Sequence, residues 1–339
     1  MKQKRVLTAA LSAVLALSLM SPALAAEETA APETGVALTY EVVQRGEEFP
    51  IRVWGSVTEL GELSLTLENS NESDQYQKVV VNVDEDSLIL DAVTGEVRSF
   101  SDIQMGETVY AWVGPAMTRS LPPISTGRVL LCGIPADYAV PSYAEVETVT
   151  ETEDGLDVYT NDGVILHLGA DTEYLAAPGE EEPLTAGDIV PGARLLSWYS
   201  VTTLSLPAQA APTKVMVFPS AYAGWVSVHG LEIALNGESL VLEGAFAPKV
   251  EEDRLLVPMR PLAEALGCEV SWEPYTNQVT VTREGTEVYR FTIGADQAVQ
   301  GEVTMGLVSA AEAVDGVTFL ALDDLIVLHG LKLSDGWAG

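Results

Sequence analysis

Three histidines are the side chains most suited to hold a metal ion or to act as a general base. They are His167, His229 and His329, spread over a chain of 339 residues without any His-x-His pair. A zinc or copper site needs several such ligands close in space. Each histidine falls in a different predicted unit, so structural roles are favoured. We expect His329 to end an apolar helix, where a cation interacts well with the helix dipole.

Acidic side chains form three clusters that suggest calcium as a ligand. The clusters are residues 84–86, 180–182 and 251–253. Calcium takes carboxylate oxygens, but no cluster has the Asp-x-Asp-x-Asp-Gly loop that fixes ligand geometry. Solvated turns are therefore the preferred interpretation. Carboxylate pairs for glycoside hydrolysis stay open, because 50 acidic residues create pairs by chance.

Two serines and two cysteines are the candidate nucleophiles. Ser120 and Ser205 each precede Leu-Pro, but neither lies in a Gly-x-Ser-x-Gly elbow or beside a base. Cys132 and Cys268 lie in apolar runs, which favours buried side chains. A disulfide between them is compatible with an oxidising compartment but is not implied. We predict no catalytic, cofactor-binding or metal-binding residue, and no cofactor.

The N-terminus has the pattern of a secretory signal peptide. Basic residues at positions 2, 4 and 5 precede an apolar run, Val6 to Met20, and an Ala-x-Ala site that ends at Ala25. The run is shorter than the roughly 20 residues of a spanning helix. Residues 26–36 are rich in Glu, Ala, Thr and Pro, which indicates a disordered leader. We predict a signal peptide at residues 1–25, secretion, and no transmembrane segment after cleavage.

The formal net charge of -33 restricts the partners. Nucleic acids and anionic membrane surfaces are themselves negative, so the charge argues against both. Solubility outside the cell is the plain explanation of the charge.

Residues 38–222 consist of short runs of Val, Leu, Thr and Tyr between turn residues, which predicts an all-β structure. Gly106 and Trp112 recur as Gly192 and Trp198 at an offset of 86 residues, and Ser-Leu-Pro recurs at an offset of 85. The pattern predicts two tandem β repeats, residues 37–141 and 142–222. Each has five or so antiparallel strands, in a small barrel or a sandwich, an OB-like barrel being one form. The matched tryptophans are core residues or a sugar-binding platform, and a core role is favoured.

The stretch from Arg254 to Trp272 predicts a strand, a helix and a strand. Pro258 ends an apolar run, Gly267 stands where a left-handed helix cap is needed, and alternation resumes after it. The turn residues 273–277 then predict a β-hairpin. The motif residues are Pro258, Arg260, Leu262, Leu266, Gly267, Val270 and Trp272. We expect an ion pair for Arg260 more readily than a ligand contact.

A second version of this motif follows at an offset of 63 residues. Gly267 corresponds to Gly330, whereas Pro258 and Arg260 are replaced by Ala321 and Asp323. We expect Asp323 to cap the helix of residues 324–329. The C-terminal α+β domain, residues 226–335, is therefore a duplicated strand-helix-strand unit.

The sequences VPMRPLAEALG, Val-Ser-Trp and TNQVTV in residues 228–335 resemble the copper amine oxidase N-terminal-like, or stalk, domain of Gram-positive surface proteins. In that family copper and a tyrosine-derived quinone belong to a separate catalytic domain. The quinone needs an Asn-Tyr motif, and this chain has no such dipeptide. The resemblance therefore implies a stalk module without amine oxidase activity, in a protein of a Gram-positive bacterium.

Three functions remain open. The first is a non-enzymatic surface or cell-wall-associated protein that acts in adhesion or envelope organisation. The second is an extracellular module that binds a glycan or a peptide through exposed aromatic side chains or sheet edges. The third is a hydrolase of unrecognised type. The predicted partner is an unknown envelope or extracellular ligand, glycan or protein.

Overall fold

The computed structural model describes residues 6–8, 39–44 and 48–334. These residues divide into two compact units, residues 6–8, 39–44 and 226–333 in the first and residues 48–225 with residue 334 in the second. Strands β1 (Val6–Thr8) and β2 (Thr39–Glu41) pair antiparallel in the first unit. The rest of the predicted signal peptide and the leader predicted at 26–36 lie outside the described residues. Residues 39–44, which the sequence placed in the first β repeat, instead belong to the unit of the C-terminal domain.

The first repeat is a closed barrel. Its strands are β3 (Ile51–Leu60), β4 (Ser64–Glu68), β5 (Lys78–Asn82), β6 (Leu88–Asp91), β7 (Thr108–Val113) and β8 (Ile124–Cys132). Five of them close in the order β3-β4-β5-β8-β7, because the start of β8 pairs parallel with β5 and its end pairs antiparallel with β7. β6 adds to β8 in parallel. Of the two predicted forms, barrel and sandwich, the small barrel is confirmed for this repeat.

The second repeat has the same strand connections. Its strands are β9 (Ser142–Thr152), β10 (Gly155–Thr160), β11 (Val164–Gly169), β12 (Glu173–Leu175), β13 (Arg194–Trp198), β14 (Ala208–Ala210) and β15 (Lys214–Phe218). β14 pairs parallel with β11, while β15 pairs with β13 and β12. Here two strands replace the single β8. Pro212 lies between them and has no N–H for a sheet ladder.

The repeated Asp-x-x-x-Gly motif builds a short turn before β7 and before β13. In the first repeat an Asp102 carboxylate oxygen accepts the backbone N–H of Ser99 at 2.8 Å. Asp188 accepts the N–H of Thr185 at the same distance in the second. Gly106 and Gly192 follow with φ of +82° and +87°, a conformation that favours glycine. The motif therefore specifies how the chain enters the tryptophan-bearing strand.

The two repeats share one apolar core, which we call the joint. Trp112 and Trp198 are 3% and 4% exposed and lie in it together, so the prediction of a core role is confirmed. The Nε1–H of Trp198 donates to the carbonyl oxygen of Ala92 in the other repeat at 2.8 Å. Both copies use the same face, as in an isologous interface. The fully or almost fully buried members are Leu90, Ala92, Trp112, Val129, Leu131, Tyr143, Ala177, Leu196, Trp198 and Met216.

The C-terminal domain contains three sheets and the two α helices of the described residues. Its elements are β16 (Gly224–His229), β17 (Glu232–Leu235), β18 (Glu238–Ser239), β19 (Lys249–Glu251), β20 (Arg254–Pro258), α1 (Met259–Ala265), β21 (Glu269–Glu273), β22 (Gln278–Arg283), β23 (Thr286–Thr292), β24 (Gln297–Gln300), β25 (Val303–Gly306), β26 (Glu312–Val314), β27 (Val317–Ala321), α2 (Leu322–His329) and β28 (Leu331–Ser334). The sheets are β18-β17-β16-β28, β19-β20-β27-β26 and β21-β22-β23-β24-β25. The mainly β chain with a C-terminal α+β domain is as predicted.

The middle sheet explains the offset of 63 residues. Its inner strands β20 and β27 come from the two versions of the motif and pair antiparallel. Val257 faces Leu320, and these are equivalent positions, since 257 and 320 differ by the offset. On either side Leu256 faces Ala321 and Pro258 faces Phe319. Replacing each residue by its equivalent 63 positions away converts one of these pairs into the other. The two halves are therefore related by a local two-fold axis through this pair.

A segment distant in sequence completes the domain. β28 has β16, about 100 residues earlier in the chain, as its neighbour in the sheet. Tyr40 and Val42, 2% and 0% exposed, join the core formed by α1, α2 and the sheets. The side-chain amide of Gln44 donates to the carbonyl oxygen of Leu331 at 3.1 Å. The core of the C-terminal domain is thus completed by residues 39–44, which precede the first barrel in the chain.

Candidate functional site

The motif residues are used mainly in packing. Leu262 is fully buried in the core, and Leu266 and Val270 pack against the same core while partly exposed. Pro258 is the residue before α1, with φ of -63°. Gly267 follows the helix with φ of +74° and so redirects the chain into β21. These positions specify the corner of the domain.

Arg260 connects α1 to β21. Its guanidinium Nη1 donates to the carbonyl oxygen of Val270 at 2.8 Å and lies 3.5 Å from a carboxylate oxygen of Glu264, one turn later. Because the arginine and glutamate side chains are 47% and 55% exposed, solvent screens this pair and its contribution to stability is small.

Trp272, the last motif residue, belongs to an exposed surface that we call the aromatic turn, residues 272–277. The hairpin forms as predicted, with Trp272 opposite Val279 and Glu273 opposite Gln278. Trp272 is 52% and Tyr275 97% exposed, and the backbone N–H of Tyr275 donates to Glu273 Oε1 at 3.1 Å. Since β21 is an edge strand, Trp272 lies at the border of its sheet. Sequence reasoning placed Tyr275 in a turn but assigned it no role.

Asp323 does not cap α2, so that prediction was wrong. The helix begins one residue before it, at Leu322, and its cap residue Ala321 has no side-chain bond. Asp323 is fully buried, and its Oδ1 accepts the backbone N–H of Val43 at 2.8 Å and lies 3.5 Å from Arg254 Nη1. Neither partner was predictable from the local sequence, because Arg254 and Val43 lie 69 and 280 residues away from Asp323.

The three histidines lie in separate places. On the surface of the second barrel His167 Nδ1 lies 2.7 Å from Asp157 Oδ1 and its Nε2 3.1 Å from Gln209 Oε1. The hydrogen bond with Asp157, followed by that with Gln209, raises the pKa of His167. Asp157, His167 and Gln209 thus link the neighbouring strands β10, β11 and β14 through their side chains.

His329 is buried, which corrects the expectation of a charged histidine at the helix end. Its Nε2 lies 2.8 Å from the Tyr289 hydroxyl, and the two rings meet edge to face. Burial, with a smaller effect of Arg283, lowers the pKa of His329 to about 4. The ring is neutral at physiological pH and does not complement the helix dipole.

The candidate nucleophiles are also engaged in structure. The Ser120 hydroxyl donates to the Pro122 carbonyl oxygen at 2.8 Å, and Ser205 makes the same bond to Pro207. Cys132 and Cys268 are free and buried, and burial raises the pKa of the Cys132 thiol to about 11. The thiol of Cys132 is therefore protonated and unreactive at neutral pH.

Two of the three acidic clusters form turns. Asp84 Oδ1 accepts the backbone N–H of Asp86 at 3.1 Å. Glu252 and Asp253, with φ of +48° and +61°, connect β19 to β20. Within residues 39–44 and 48–334 no three metal-ligating side chains lie together as a metal site. In the described part of the chain, none of the helices combines the length and apolarity needed to span a bilayer.

Comparison with known proteins identifies one segment of the chain. A search of curated proteins found no match. Residues 234–334, which run from β17 through both helices to β28, match the family model described as the copper amine oxidase N-terminal domain, so this segment carries a domain similar to that family's.

Proposed function

We propose that the protein is an exported, non-catalytic protein of the cell surface or cell wall of a Gram-positive bacterium, with a stalk-like role in adhesion or envelope organisation. The observation that carries this proposal is that the equivalent residues of both internal duplications pack against each other. In the β repeats the matched tryptophans fill the joint. In the C-terminal domain the matched strands pair with each other.

Such packing makes stiff modules. Two barrels that share a core cannot bend freely at their junction, and a domain closed by chain from both of its ends resists local opening. Stiffness suits a protein that holds a contact surface at a distance from its attachment point. The signal-peptide pattern and the match of residues 234–334 to the copper amine oxidase N-terminal domain support the assignment to the surface.

Cell fractionation with N-terminal sequencing tests the proposal. We expect the protein in the cell-wall or culture fraction, beginning at Ala26 or Glu27 after removal of the signal peptide. Uncleaved protein in the cytoplasm would contradict it. A matched chain with Leu11 and Leu15 replaced by arginine, which breaks the apolar run, should stay inside the cell and serve as the control.

The aromatic turn favours a second function, the binding of a glycan or a peptide. Trp272 and Tyr275 expose flat apolar rings beside the acceptor Glu273, and aromatic rings with nearby polar groups suit both ligands. A screen of cell-wall polysaccharides and peptides should return a ligand that is lost on Trp272→Ala and Tyr275→Ala. Phe246, 41% exposed in the same domain, provides the control Phe246→Ala. Equal loss in all three variants would contradict a role for the turn.

A further inference from the structure

A loop with an exposed leucine occurs in both barrels. We call residues 118–122 loop A and residues 200–207 loop B. In loop A the hydroxyls of Thr118 and Ser120 lie 2.6 Å apart, and Thr118 Oγ1 accepts the backbone N–H of Ile124 at 2.8 Å. In loop B the hydroxyls of Thr203 and Ser205 are also 2.6 Å apart, and Thr203 Oγ1 accepts the N–H of Gln209 at 2.9 Å. The two loops share one scaffold.

The hydrogen bonds of the scaffold use the Thr and Ser side chains of each loop, but they do not use the leucine. Leu121 in loop A and Leu206 in loop B are 97% and 98% exposed. Side chains this exposed contribute little to the packing of the barrel. The repeated leucine is therefore available for contact with a partner outside the barrel.

Loop B is the more apolar of the two. Val201 and Leu204, 75% and 103% exposed, precede Leu206 in the same loop, and every residue from Ser200 to Pro207 is exposed. No charged residue occurs from Leu195 to Thr213, although 20% of the whole chain is charged. Contiguous exposed aliphatic side chains mark contact sites for a membrane or a protein.

The hydrogen bonds of loop B favour a lipid medium as the partner. Its Thr203 and Ser205 hydroxyls pair with each other, Ser205 also donates to the Pro207 carbonyl oxygen, and the N–H of Thr203 donates to the Gln209 carbonyl oxygen at 2.9 Å. These paired groups lose little on leaving water, and side chains that reach only the interfacial region leave the rest of the loop backbone hydrated. Loop A places Arg119, exposed beside Leu121, where it can reach a headgroup phosphate.

We infer that loop B, with loop A as a weaker counterpart, inserts its aliphatic side chains into the interfacial region of a lipid bilayer. The net charge of -33 repels an anionic surface, so insertion is strongest at neutral bilayers and is aided by salt at anionic ones. The negative charge argues against attraction to anionic membranes, and this inference does not require such attraction, because the contact is made by apolar side chains. The inference depends on the proposed function in one respect, because the site of export determines which membrane the protein meets.

Flotation with phosphatidylcholine vesicles tests this inference directly. Residues 26–339 are used, because the apolar run of the signal peptide would itself bind lipid. We expect the protein to float with the vesicles, and Leu204→Ser with Leu206→Ser to lower the partition coefficient by about 30-fold, since each leucine contributes several-fold. Leu121→Ser should lower it by about threefold. Adding phosphatidylglycerol should weaken binding, and salt should restore it.

Val241, 83% exposed in the C-terminal domain, supplies the control Val241→Ser, which should bind as the parent does. Thermal melting checks that each variant is folded, and Val201→Ser provides a further single substitution in loop B. Absence of flotation by the parent, or equal flotation of parent and loop variants, would overturn the inference. So would a protein partner lost with these leucines in the absence of lipid binding. Because vesicle binding does not depend on export, failure here leaves the fractionation test standing.

Discussion

Replacing Trp198 with alanine should loosen both barrels at once. The indole is 4% exposed in the joint, and its Nε1–H donates to the Ala92 carbonyl oxygen at 2.8 Å. The Lys214 ammonium lies 4.6 Å from the ring centre. Because this one side chain contacts both barrels, its removal should lower the stability of both.

The magnitude follows from two losses. Removing the ring deletes buried apolar area and leaves a cavity, which costs about 3–5 kcal/mol for an aromatic residue. The Ala92 carbonyl oxygen also loses its donor, which costs roughly 1–2 kcal/mol. We expect Trp198→Ala to lower the free energy of unfolding by about 5 kcal/mol. Trp198→Phe keeps most of the ring and should cost about 2 kcal/mol.

Hydrogen exchange measured by mass spectrometry is the suitable assay, because it reports opening free energies segment by segment. Peptides that cover β6 in the first barrel and β13 in the second should both lose protection in Trp198→Ala. The exposed Trp272→Ala is the matched control and should change neither. A loss confined to the second barrel, or equal losses in the alanine and phenylalanine variants, would refute the role of the joint.

Three further predictions concern the C-terminal domain. Burial lowers the pKa of folded His329 to about 4, against about 6.5 for an unburied histidine. As the pH drops from 7 to 4 the unfolded chain therefore binds this proton before the folded chain does, and stability should fall by about 3 kcal/mol. Urea unfolding of His329→Gln at both pH values should show a smaller fall, and an identical fall would contradict the assignment. Asp323→Ala removes the acceptor of the Val43 N–H and should cost about 2 kcal/mol, with faster exchange at Val43; unchanged exchange there would count against the contact. Gly267→Ala places a side chain at φ of +74° and should cost about 1 kcal/mol in urea unfolding, whereas Gly306→Ala, with open space around it, should cost nothing; equal costs would refute the backbone argument.

Local patterns were sufficient for much of the fold. The hairpin of Trp272 and Val279 follows from alternation and turn residues. The barrel repeats follow from the recurrence of Gly106 and Trp112, and the core role of the tryptophans follows from their position inside strands. Each of these signals is contained within a few neighbouring residues or within one internal repeat.

The remaining features depend on contacts between distant parts of the chain. The position of Tyr40 in the C-terminal core, the bond from Val43 to Asp323 and the pairing of β16 with β28 each join segments about 100 or more residues apart. A carboxylate early in a helix predicts a cap from local propensity, but burial gave Asp323 a different partner. For loop B the uncharged run was visible in the sequence, whereas the exposure of Leu206 required the fold.

The facing of Val257 and Leu320 has a consequence for how the domain could diverge. In this sheet the two halves meet as the subunits of a homodimer would. The chain that joins them keeps each half at a high effective concentration near the other, so no bimolecular encounter is needed. Separate subunits from one gene must change in pairs, because every substitution appears on both sides of the axis. Once joined in one chain, each half accepts its own substitutions. Arg260 could then remain a surface residue while its counterpart, Asp323, became the buried acceptor that holds residues 39–44 in place.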